Sequence, residues 1–205
     1  MGGGKSRLST KTIASLQDVT YFSDQEIQEW YKAFIKEVPD GQMNIDQFLN
    51  VWKDLFFNNK KKSSIDSVEL QSYGKQVFRL IDRNGDGFID FREFLINVSI
   101  EQRGTLEQKL EHVFGLYDLD QNGYVTKPEM LEFVKMVNRA MDLAKQFPGK
   151  DPEDVAEQLA NKIFWRLDRN KDGKLTMFEF ISGIKSNQCL VDYFLGVNLT
   201  GPRPK

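Results

Sequence analysis

Three twelve-residue segments repeat one arrangement of oxygen-bearing side chains, and this repeat restricts the fold more than any other feature of the chain. Residues 82–93 read DRNGDGFIDFRE, 118–129 read DLDQNGYVTKPE and 168–179 read DRNKDGKLTMFE. Each has Asp at position 1, Asp or Asn at 3 and 5, Gly at 6, an oxygen-bearing side chain at 9 and Glu at 12. Side chains at alternate positions of a tight loop converge on one point, and the glycine permits the turn that wraps the chain around it.

Six to eight convergent hard oxygens suit Ca²⁺, and the spacing is that of the EF-hand calcium loop. In the first loop the ligands are Asp82, Asn84, Asp86, the Phe88 carbonyl and Glu93, with Asp90 acting through water. In the second they are Asp118, Asp120, Asn122, the Tyr124 carbonyl and Glu129, with Thr126 at position 9. In the third they are Asp168, Asn170, Asp172, the Lys174 carbonyl and Glu179, with Thr176 at position 9. Position 7 contributes only its backbone, so the lysine there is no obstacle. Mg²⁺ is the rival ion at resting calcium, but a bidentate glutamate at position 12 favours the larger Ca²⁺.

A fourth copy is broken. Residues 36–47, KEVPDGQMNIDQ, keep Gly41 at position 6 and Met43 at position 8. Lys36 replaces the first Asp, Val38 takes position 3 and Gln47 replaces the closing Glu. A cation at position 1 and no bidentate carboxylate predict a degenerate first EF-hand that binds no ion. Position 8 is apolar in all four copies: Met43, Ile89, Val125 and Leu175. These residues predict a two-stranded contact between first and second loops, and another between third and fourth. Phe78 and Ile81, Phe114 and Tyr117, and Phe164 and Leu167 stand four and one residues before the three loops, on one face of each entering helix. The fold class is therefore all-α, with four EF-hands in two paired lobes.

The organisation predicted is an N-terminal arm over 1–22, a first EF-hand pair over 23–101, a second over 102–187 and a tail over 188–205. Capping boxes at Ser23/Glu26 and Thr105/Gln108 start two helices, and Asp151 before Pro152 starts another. Polar residues 58–67 (NNKKKSSIDS) and the stretch 147–151 read as loops, and 201–205 (GPRPK) carries no helical signal. The tail residues Leu190, Val191, Phe194 and Leu195 are apolar enough to fold back and occupy part of the aromatic groove of the first lobe.

The chain opens MGGGKS, which satisfies the myristoylation pattern at Gly2 with Ser6. Lys5, Arg7 and Lys11 follow, with no acid before Asp18. One acyl chain binds a bilayer only marginally, so a basic patch is the expected second signal. The first lobe is rich in aromatics, and Trp30, Phe34, Phe48, Trp52, Phe56, Tyr73 and Phe78 are read as lining a groove for a lipid or a target helix. The single Cys189 excludes an internal disulfide and reads as partly buried; the single His112 has no partner in a catalytic motif. No enzyme activity is expected. Ten acids are loop ligands, and three Ca²⁺ ions would move the formal charge from −2 to +4, which leaves no case for nucleic acid but favours anionic surfaces.

The stretches EIQEWYKAFIKEVPDG, IDFREFLINVSI, RGTLEQKLEHVFGLYDLDQNGYV and NKDGKLTMFEFISG resemble the neuronal calcium sensors of the recoverin, visinin-like, hippocalcin and frequenin type. The resemblance runs from Gly2 to about Leu195. It implies an N-terminal myristate, a disabled first EF-hand, and calcium-driven release of the lipid with opening of the groove to an amphipathic helix of a kinase, cyclase or channel. It implies a cytoplasmic, peripherally membrane-bound protein and leaves a homodimer open. Val38 and Asp40 depart from the family's residues on either side of Pro39. The guanylate cyclase activating proteins share EWYK and GTLEQKL and form an alternative reading; a calcium buffer forms another. Protein co-expressed with an N-myristoyltransferase should gain one acyl chain in its intact mass, and Gly2→Ala should gain none. An unmodified wild-type mass would refute the assignment.

Overall fold

The repeat of helix, loop and helix appears four times. In the computed structural model, residues 7–57, 68–140 and 151–198 are described, without the side chains of 52–57, 69, 70, 140 and 196–198. The first EF-hand comprises α2 (Asp24–Glu37), β1 (Gln42–Met43) and α3 (Ile45–Phe57), and the second α4 (Val68–Ile81), β2 (Ile89–Asp90) and α5 (Phe91–Arg103). The third comprises α6 (Leu106–Tyr117), β3 (Tyr124–Thr126) and α7 (Lys127–Ala140), and the fourth α8 (Pro152–Leu167), β4 (Lys174–Thr176) and α9 (Met177–Lys185). Before them lies α1 (Thr10–Gln17), and after them α10 (Gln188–Asn198).

The strands pair as their apolar centres require. Met43 stands opposite Ile89, and Val125 opposite Leu175, both antiparallel. All four side chains are buried, so each two-stranded contact is also a bridge between hydrophobic clusters. The entering-helix residues Phe78, Ile81, Phe114, Tyr117, Phe164 and Leu167 are buried on the same inner faces. Thr105/Gln108 forms a full capping box, and Asp151 caps α8 with Pro152 at its start. The Ser23/Glu26 box is reinforced from outside. Arg103, at the end of α5, ion-pairs with Glu26, donates to the Tyr21 carbonyl at 2.7 Å and stacks over Phe22 at 4.7 Å. The hydrogen bond from Arg103 to the Glu26 carboxylate, with those from Ser23, holds that carboxyl down at about 2. The clasp is therefore intact at neutral pH and is lost only as strong acid protonates Glu26.

Several elements depart from expectation. The arm before Phe22 contains α1, capped by Ser9 and burying Ile13 and Leu16; its start and face had local signals that the sequence analysis leaves unmarked. Of the aromatics assigned to a groove, Phe34, Phe48, Tyr73 and Phe78 are buried and Trp30 is half-buried. These five serve as core: Phe34 packs on Phe91 and Phe94, Phe48 on Phe78, and Tyr73 turns to Phe133 of α7 at 5.8 Å. The side chains of Trp52 and Phe56 lie outside the described residues, as do Gly2, the loop residues 58–67 and 147–150, and the end of the tail.

The tail does fold back, but onto the second lobe. Phe194 of α10 is fully buried, 5.4 Å from the Tyr117 ring and 5.1 Å from Phe180. Cys189 sits at the start of α10, away from its Val191–Phe194 face, and is exposed rather than partly buried. The second lobe is thus closed by a fifth helix. Phe194→Ala should destabilise the protein by about 3–5 kcal/mol, the range for deleting a buried aromatic. Urea unfolding monitored by circular dichroism measures it; a loss below about 1 kcal/mol would show the tail to be loosely held.

Candidate metal centre

Each of the three intact loops is held in the same way. The first aspartate anchors the turn: the Gly87, Gly123 and Gly173 amides donate to Oδ2 of Asp82, Asp118 and Asp168 at 2.9, 2.9 and 3.1 Å. Position 3 accepts from the amide of position 5, at Asn84, Asp120 and Asn170, over 2.8, 3.1 and 3.0 Å. Position 5 accepts from the amide of position 7, at Asp86, Asn122 and Asp172, over 2.9 Å in every loop. The glycines at position 6 have φ between 80° and 86°, a region that a side chain would strain. Gln121 and Lys171 adopt the same left-handed conformation at position 4, as Gly85 does.

Positions 9 and 12 do something the sequence analysis did not assign. Asp90 and Thr176 are the N-caps of α5 and α9, each in a reciprocal capping box with the glutamate three residues on. Thr126 and Glu129 make the same exchange, with the Thr126 amide donating at 2.8 Å and its hydroxyl at 2.6 Å. The signal was present: Asp or Thr followed three places later by Glu is the capping-box pattern. The degenerate copy keeps it as well, with Asn44 and Gln47 exchanging bonds of 2.9 and 3.0 Å. There Val38, at position 3, is buried in the core.

These residues fit a hard divalent ion. Carboxylate oxygens of Asp118, Asp120 and Glu129 lie within 4.8 Å of one another. Asp168 Oδ1 is buried and accepts no hydrogen bond, a cost that a cation would remove. Glu93 and Glu179 are buried although charged. Burial raises the Asp118 carboxyl above the usual range, and repulsion from Glu129 and Asp120 adds to it, against the Gly123 and Asn122 amides. The second oxygen of Glu93 accepts from the Arg83 and Asn84 amides at 2.9 and 3.2 Å, and that of Glu129 from the Leu119 amide at 3.1 Å. The closing carboxylates are therefore already turned into their loops.

Arg79 of α4 reaches from the second EF-hand into the third. Its guanidinium donates to the carbonyls of Gly115 and Asp118, both at 3.0 Å, and to that of Leu119. These carbonyls end α6 and begin the second intact loop, where a helix C-terminus favours a cation. The helices come close at Gly115, where a Cβ would meet the Leu80 side chain at 2.6 Å. Asp118, Glu129 and Asp120 all stabilise the charged form of Arg79 against the burial that disfavours it.

A model of the EF-hand domain pair matches residues 71–135 and 107–185. Human recoverin is 36% identical over 92% of this chain and 90% of its own length. S-modulin of Aquarana catesbeiana is 34% identical over 92% of this chain and 89% of its own. Neuronal calcium sensor 1 of Lymnaea stagnalis is 36% identical over 93% and 94% respectively. The chain thus carries EF-hand domains of the calcium-binding type. Among the described residues no helix is long and apolar enough to cross a membrane.

Arg79→Met should cost about 2–3 kcal/mol, because three carbonyls lose a charged donor in a half-buried place. Arg79→Lys should recover only part, since an ammonium cannot span all three. Chemical denaturation of the calcium-free protein tests this; a change under about 0.5 kcal/mol for Arg79→Met would reject it.

Proposed function

The chain belongs to the neuronal calcium sensor family of EF-hand proteins, and from that premise we propose that it binds three Ca²⁺ ions and regulates a target protein in response. The observation that carries the reading is the threefold identity of the intact loops: the same bonds at positions 1, 3, 5, 9 and 12. The ligands are the side chains of Asp82, Asn84, Asp86 and Glu93, of Asp118, Asp120, Asn122 and Glu129, and of Asp168, Asn170, Asp172 and Glu179. The carbonyls of Phe88, Tyr124 and Lys174 complete them. Ca²⁺ supplies charge neutralisation at each cluster. The first loop, with Val38 buried and Gln47 in a purely structural cap, binds none and serves as the partner of the second.

A sensor must change its surface when loaded. The buried first-lobe aromatics Phe34, Phe48 and Phe78 are the store of apolar surface that such a change would release to an amphipathic helix. Myristate on Gly2 and the basic arm would supply a peripheral membrane contact. The chain is not read as an enzyme: its one histidine, His112, stands in no recognisable catalytic motif.

Calorimetry should count three calcium ions, and Glu93→Gln, Glu129→Gln and Glu179→Gln should each remove about one. Calcium should also raise the fluorescence of an apolar dye. Three sites without that rise would identify a buffer, since buffer EF-hands barely open. Four sites, or fewer than two, would overturn the assignment of the loops.

A further inference from the structure

The second lobe exposes aromatic and basic side chains beside its two intact loops. Trp165 of α8 is 77% exposed, and Phe178, on the helix after the third intact loop, is 78% exposed. Tyr124 and Met177 of the same loop pair are exposed as well. A tryptophan of this kind forgoes much of the burial that normally stabilises it. Around Trp165, Lys127, Lys162 and Lys171 border a shallow hollow of about 580 Å³, which Asp168 and Gly173 of the third intact loop also line. All three are exposed, and none makes an ion pair among the described residues. Residues 159–178 hold five basic side chains and no acid except Asp168 and Asp172, both loop ligands.

We propose that this face is a docking surface for an anionic lipid bilayer, with Trp165 seated at the interface and Lys127, Lys162 and Lys171 against the headgroups. The shape and the charge both favour a bilayer. A target helix needs a groove to receive its apolar side chains, whereas here the aromatics protrude. Tryptophan suits the boundary between headgroups and acyl chains. Dispersed lysines match a continuous sheet of negative charge without requiring fixed acidic partners. The local charge also depends on the metal: Asp168, Asp172 and Glu179 offset the basic residues until Ca²⁺ cancels most of their charge. Only this calcium dependence rests on the function proposed above. The contact is separate from the N-terminal arm and needs no acyl chain.

The test uses full-length, non-acylated Gly2→Ala protein and vesicles of phosphatidylcholine, with or without phosphatidylserine. Co-sedimentation should require phosphatidylserine, strengthen with calcium and weaken as salt screens the charges. Each basic residue near such a surface contributes about fivefold in affinity, so Lys162→Glu should lower binding by about tenfold or more. Trp165→Ala and Phe178→Ser should lower it while calorimetry still counts the same calcium sites. Calcium binding and vesicle binding are measured separately, so a failed metal assignment is distinguishable from a failed surface. Equal binding to both vesicle types would overturn the proposal. So would wild-type binding by both Lys162→Glu and Trp165→Ala. A loss of self-association in Trp165→Ala, with vesicle binding unchanged, would assign the face to a second copy of the chain and would also overturn it.

Discussion

The reciprocal cap between loop positions 9 and 12 is the interaction on which the architecture turns. It occurs in all four copies, as Asn44/Gln47, Asp90/Glu93, Thr126/Glu129 and Thr176/Glu179. Each cap starts the exiting helix one residue past the strand in the three intact copies and two past it in the first, so the strand fixes where the helix begins. A cap of this type is worth about 1 kcal/mol, yet its geometric consequence is larger. It places a carboxylate at the third helical position with one oxygen held by the cap and the other facing the loop. The same glutamate that begins the helix is thus the one proposed to close the ion site. In the first copy Gln47 keeps the cap without the charge, which separates the two roles: the helix starts normally, and no carboxylate closes the loop.

The carboxylates of each loop, four in the first and three in each of the others, repel one another, and the chain offsets this locally. Backbone amides at positions 5, 6 and 7 point at the side chains of 3, 1 and 5. One of positions 3 and 5 is always Asn, whose amide donates to the neighbouring Asp at 3.0, 2.8 and 3.0 Å in the three loops. An Asn–Asp pair keeps two oxygen ligands while halving the charge of an Asp–Asp pair. The loops therefore hold their converging form through their own amides, and an ion entering them need not organise the turn.

The shape of the loops, the strand partners and the starts of α2, α6 and α8 were legible because their signals are local. Spacing alone marks Asp82 and Glu93, and the apolar position 8 alone pairs Met43 with Ile89. The caps at positions 9 and 12 were equally local, and were overlooked only because the ligand pattern covers the same residues. What could not be read was which partner an apolar face would choose. Tyr73 belongs by sequence to the first lobe, but its ring lies on Phe133 of the second. Phe194 was expected against the first-lobe groove; it fills instead the space beside Tyr117 and Phe180. Such choices depend on long-range packing, to which periodicity is blind.

Arg79 and Tyr73 also show that the lobes are not independent beads. Both lie on α4, the entering helix of the first intact loop, and both contact the EF-hand that holds the second. Arg79 touches the carbonyl of Asp118, the first residue of that loop. A shift of α4 would therefore move the backbone on which Asp118 stands. Linkage makes such a connection reciprocal: if the state of the loop at 82–93 alters affinity at 118–129, the reverse follows by the same factor. At Gly115 the helices come close enough that any side chain would displace the end of the Leu80 side chain. The lobe boundary is thus a packed, hydrogen-bonded joint, and a helix movement that opens one EF-hand must be accommodated by its neighbour across that joint.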